Sequence, residues 1–161
     1  MPKWVDRAKK ALNRKQFAEK TLHETVEEAK NVNEQIQFIM ESSGASVDQG
    51  IDYDDESINV VEYFYRSAAK QPVSIEFGID NFERLLSLYL GQSLVEREAG
   101  EWVQYKGKYH VVFPVVVRVS DGQHVDVFLF CNSLHQKQVS GSQDGHALVK
   151  FIETASKMAF P

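Results

Sequence analysis

Arg118, His124 and Asp126 come nearest, by type and spacing, to a reactive group. They bracket an Asp121-Gly122 turn. An imidazole beside a carboxylate is the pairing that general-base chemistry needs. No nucleophile or second histidine is placed with them by spacing, and nothing in the pattern positions a substrate. The same residues also read as an exposed cross-strand charge cluster, worth about 0.2–1 kcal/mol per pair. They stand as weak candidates, and no catalytic residue is assigned.

His110, Cys131, His135 and His146 are the natural metal ligands to consider. Their spacing fits no H-E-x-x-H or C-x-x-C pattern. Cys131 falls on an apolar face with Phe113 and Leu129, where cysteine behaves as a small hydrophobe. No metal and no cofactor is expected. The run Ser140-Gly141-Ser142-Gln143-Asp144-Gly145 precedes a helical pattern and invites comparison with an anion-cradling loop. A P-loop would end in Gly-Lys-Ser/Thr, whereas this run continues into His146-Ala147, and Asp144 repels phosphate. A surface loop carrying a helix cap is the simpler reading.

Charge is unevenly placed. Residues 1–20 hold seven bases (Lys3, Arg7, Lys9, Lys10, Arg14, Lys15, Lys20) against Asp6 and Glu19, a balance of +5. Residues 21–60 hold ten acids against Lys30 alone, a balance of −9. Trp4, Val5, Ala8 and Leu12 form a narrow apolar stripe among the bases. Such a segment can meet a membrane surface, an acidic partner or nucleic acid. It can also fold back over the chain's own acidic 24–56 region. The partner-binding candidates are Trp4, Lys9, Lys10, Arg14 and Lys15 on one side and Asp52, Asp54 and Asp55 on the other.

The elements that position these residues follow from periodicity. Tyr109 to Cys131 reads as two β-branched, aromatic-rich runs around a Ser-Asp-Gly turn, a hairpin signal. Val111, Phe113, Val115, Val117 and Val119 must share a face with Val125, Val127, Leu129 and Cys131. A two-residue loop would put these sets on opposite faces. A three-residue loop, Ser120-Asp121-Gly122, with Gly122 left-handed in a bulge, puts them together. Val117 then faces Val125, and Arg118 lies beside His124 and diagonal to Asp126. Pro114 cannot donate to a ladder, which predicts an edge or a bulge there. Trp102 to Tyr105 adds a preceding strand, so residues 101–132 read as a three-stranded antiparallel meander.

Residues 3–40 read as helical, as two helices or one broken one, with Asn31 and Asn33 as breakers and Gly44 as a stop. Residues 45–55 form an acidic loop. A helix over 56–69 starts at Asp54 or Asp55, with Ile58, Val61, Tyr65 and Ala68 on one stripe, widened by Val60, Tyr63 and Phe64. Residues 73–78 alternate and predict a short strand, a possible fourth in the sheet. Asp80 and Glu83 offer a capping box for a helix over 81–98 that is apolar nearly all round, as buried helices are. Gly91 on it admits a neighbouring backbone. Residues 133–145 read as a polar loop. An amphipathic helix over 146–159 closes the chain, with Leu148, Phe151, Ile152, Ala155 and Met158 inward.

At 161 residues and a net charge of −5, the chain fits one domain with a substantial core. The charge argues against general nucleic-acid binding. The basic start lacks the apolar run of a signal peptide, and no stretch is apolar enough to span a membrane. A single cysteine gives no intrachain disulfide and suits a reducing, cytoplasmic setting.

Over about 80–151 the chain resembles small bacterial proteins of unknown function. The likeness rests on Leu90-Gly91-Gln92-Ser93-Leu94, Gly100-Glu101-Trp102, Phe113-Pro114, Asp121-Gly122 and the run from Ala147 to Phe151. It implies an α+β fold and a bacterial cytoplasmic protein, and carries over no catalytic residue. The expected architecture is a single α+β domain over 1–161. Residues 1–44 form a helical arm or lobe, and 56–161 a helix-helix-meander-helix core. The expected function is a non-enzymatic protein-interaction, regulatory or immunity-type module. The alternatives are a small-molecule binder or unrecognised hydrolase at the Arg118/His124/Asp126 end of the sheet, and a homo-oligomer assembled through Trp4 and Leu12.

Overall fold

The computed structural model describes residues 2–70, 79–105, 115–119, 122–139 and 146–155. The expected strand at 73–78, the Pro114 position, the Ser140–Gly145 loop and Met158 lie outside these residues. The described chain is mainly helical with a small antiparallel sheet, an α+β arrangement.

Helix α1 spans Lys3–Ala29 and α2 spans Val32–Ser42. The break falls at Lys30 and Asn31, and Gly44 ends α2 with φ +92°. A left-handed residue is what a helix stop of this kind requires. Helix α3 spans Asp55–Lys70, and Asp54 Oδ1 accepts the Ser57 amide at 2.8 Å as its N-cap. Ile58, Val61, Tyr65 and Ala68 are buried as their spacing predicts. Val60 and Tyr63 do not widen that stripe. Both are exposed, Tyr63 by 74%, because they sit on the far side of the helix.

Helix α4, Ile79–Arg97, is the centre of the molecule. It packs against every other helix and against the first two strands. Phe82, Leu85, Leu86, Leu88, Tyr89, Leu90 and Leu94 are buried around it. Gly91 does admit a close neighbour, but that neighbour is a side chain rather than a backbone. A Cβ there would overlap the Trp102 indole, whose Nε1 donates to Gln92 Oε1 at 3.2 Å.

The sheet runs β1 (Glu101–Gln104), β2 (Val115–Arg118), β3 (His124–Val125), antiparallel and in that order. Its register is the expected one. Val117 pairs with Val125, Arg118 with His124, and Gly122 has φ +88°. The Val119 amide donates to Gln123 O at 2.9 Å, which closes the three-residue loop.

The second arm of the hairpin is not a strand beyond Val125. Residues Val127–Val139 form helix α5, which also replaces the first part of the expected polar loop. Asp126 causes the change. Its Oδ1 accepts the Leu129 amide at 3.0 Å, and its carbonyl accepts the Phe130 amide at 3.2 Å. That is an N-cap followed by the first helical bond. Val127, Cys131 and Leu134 are then buried at helical spacing, while Leu129, inward on the strand reading, is 60% exposed. Helix α6, Ala147–Thr154, buries Leu148, Phe151 and Ile152, and Phe130 stacks on Phe151 with ring centroids 4.0 Å apart.

Candidate functional site

The Arg118, His124 and Asp126 side chains are engaged separately. Arg118 Nη2 meets Glu101 Oε2 at 2.6 Å, across the β1–β2 pair. Asp126 is committed to capping α5. The His124 ring lies against Tyr105, centroids 5.0 Å apart. A base-and-carboxylate pair is therefore absent from the described contacts of this sheet end.

The metal candidates do not converge either. Cys131 is buried, and burial pushes its thiol up to about 12, so it stays protonated. His146 Nδ1 lies 3.0 Å from Asn59 Oδ1. His110 and the His135 side chain lie outside the described structure. Among the described residues, no three His, Cys, Asp or Glu side chains are grouped to hold a metal ion.

One buried charge escaped the sequence reading. Glu62 lies on the buried side of α3, fully inaccessible to solvent. Its carboxylate accepts the Leu148 amide at 2.6 Å and the Ala147 amide at 3.2 Å, and pairs with Arg66 Nε at 3.1 Å. Glu62 thus caps α6 from a different helix, satisfying amides that a helix N-terminus leaves open. Burial raises its carboxyl above the usual range, against the pull of the Leu148 amide and Arg66. The available signal was an acid between Ile58 and Tyr65 on an apolar stripe, with Arg66 one turn on. These groups close on one another and fix α6 in place.

The charged segments form the surface that remains. From Pro2 to Lys20, every described side chain except the half-buried Val5 is exposed. Trp4 is 71% exposed and Leu12 55%. Arg14 and Lys15 belong to α1, but their side chains lie outside the described structure. Among the described side chains of α1, Leu22 and Val26 pack against the core and Ala29 is buried, and the helix also contacts β1 and β2. Helix α1 runs unbroken from Lys3 to Ala29, so the basic arm continues the helix that carries Glu24, Glu27 and Glu28.

The acidic segment is held firmly. Asn33 Nδ2 donates to Ile51 O at 3.1 Å, and the Ile51 amide donates to Gln37 Oε1 at 3.1 Å. The Tyr53 hydroxyl donates to Asn33 Oδ1 at 3.2 Å, and the Tyr89 hydroxyl donates to Asp52 O. Arg97 pairs with Asp55 at 2.6 Å. Asp48, Asp52, Asp54 and Glu56 are left exposed, lining an open groove of about 530 Å³ with Val47 and Val60.

No family model, curated protein or solved structure matches the chain. Among the described residues, no helix is long and apolar enough to cross a membrane.

Proposed function

We propose that the protein is a non-enzymatic protein-interaction module whose docking element is the N-terminal half of α1. One observation carries this reading. Residues 3–20 are helical, and of their described apolar side chains Trp4, Ala8 and Leu12 are exposed and Val5 is half-buried. A helical segment of this length is marginal in water unless an apolar face is packed. The basic residues beside it, Lys9 and Lys10 among them, suit an acidic protein surface, which would steer the encounter. The separate engagement of Arg118 and Asp126 gives the small-molecule alternative no support. A reducing compartment is part of this reading, supported by the lone, buried Cys131.

Affinity capture from the host lysate tests it, using the full chain, a chain lacking residues 2–20, and Lys9→Glu with Lys10→Glu. A stoichiometric partner lost from both altered chains is the expected result. A partner retained by both would move the interface elsewhere and defeat the proposal.

A further inference from the structure

We infer that the acidic surface taken by the arm is the 46–60 groove of a second copy of this chain, giving head-to-tail association. This rests on the interaction reading above and names its partner. Two observations lead to it.

The first is charge. The arm carries +5 over residues 1–20, and the following 21–60 carry −9. The groove presents Asp48, Asp52, Asp54 and Glu56 around Val47 and Val60. It is therefore acidic with an apolar element, the complement of Trp4 flanked by Lys and Arg. Its volume of about 530 Å³ exceeds that of an indole ring.

The second is geometry. Helix α1 has 27 residues, which makes it about 40 Å long at 1.5 Å per residue. Trp4 stands at its start. The groove is tied to its other end, because Ile51 and Tyr53 are bonded to Asn33, just past the break after Ala29. Most of the length of α1 therefore separates Trp4 from the groove of its own chain while that helix is intact. Between chains the length of α1 imposes no such separation. A contact between two different patches is heterologous, and it builds a ring or an open filament rather than a symmetric pair.

Sedimentation equilibrium of the full chain, over a concentration series at low and high salt, tests this. Mass is expected to rise with concentration and to fall back as salt is added. Two variants then separate the surfaces. Lys9→Glu with Lys10→Glu reverses the arm. Asp48→Lys with Asp52→Lys reverses the groove, sparing the Asp54 cap and the Asp55–Arg97 pair. All four positions are exposed, and far-UV circular dichroism checks that each variant is folded. Each variant alone should associate more than about tenfold more weakly. Mixing the two should restore association, because reversed arms meet reversed grooves and native arms meet native grooves. Association that survives either reversal, or a mixture with no recovery, overturns the proposal. A chain that stays monomeric yet captures a partner through residues 2–20 overturns the self-pairing alone. A chain that does neither overturns the interaction reading as well.

Discussion

Glu62 is the residue whose surroundings make the sharpest demand on the fold. Its carboxylate is shared between Arg66 and two α6 amides. Glu62→Ala leaves the largely buried Arg66 without its counter-charge and reopens the α6 N-terminus. The expected loss is about 3 kcal/mol or more, measured by urea unfolding. Its protonation gives a second test. Burial raises the carboxyl above its ordinary 4.5 in the folded chain, so the folded state holds this proton more tightly than the unfolded chain does. The contribution of Glu62 to stability therefore falls as pH rises from 4.5 through the folded value. Glu62→Gln cannot titrate, so its stability relative to the native chain should improve across that window. A relative loss with rising pH would show that Arg66 and the amides outweigh burial. Gly91 makes a simpler demand. Alanine there gains about 1 kcal/mol of helix propensity, but its methyl meets the Trp102 ring. Overpacking costs about 1–3 kcal/mol, so Gly91→Ala should lower the melting temperature, and a rise would mean that the indole moves aside freely.

At the scale of elements, Asp126 decides between two structures that the same residues permit. Val125, Val127, Leu129 and Cys131 alternate as a strand would, while Val127, Cys131 and Leu134 recur as a helix would. Short apolar runs rich in β-branched and aromatic residues do not separate these periods. The turn chemistry was legible, since Gly122 and the odd-with-odd pairing determine the register as far as Val125. The strand's end was not, because it depends on a single carboxylate choosing an amide over a cross-strand charge. Asp126→Ala should cost about 1 kcal/mol, with Asp126→Asn close to neutral, measured by denaturant unfolding. Equal losses would indicate a charge effect rather than a cap. Helices α3 and α4 were readable because their stripes are long and singly periodic. The α3–α6 link was not, since Glu62 finds its Leu148 amide 86 residues away, and periodicity says nothing about partners at that distance. The charged segments were legible as composition, but the separation of Trp4 from the acidic groove needed the continuity of α1.

At the scale of the whole molecule, the described core starts at Ala29 and is organised around α4. The first 20 residues add no buried side chain to it among those described. Deleting residues 2–20 should therefore leave the urea midpoint of the remaining chain nearly unchanged. Removing residues up to Val26 should lower it, because Leu22 and Val26 pack against the core. Hydrogen exchange carries the same argument further. The arm's described side chains add nothing buried to the core, so amides in residues 5–18 of dilute protein should exchange far faster than those of α4, whose opening requires the core to open. If the arm seats on another copy, protection of residues 5–18 should rise with protein concentration and vanish at high salt, while α4 stays unchanged. Protection that is strong even in dilute solution would place the cover within the chain itself. Fast exchange at every concentration and salt would leave the arm without a partner in the purified protein, and would return the choice of acidic surface to the lysate capture.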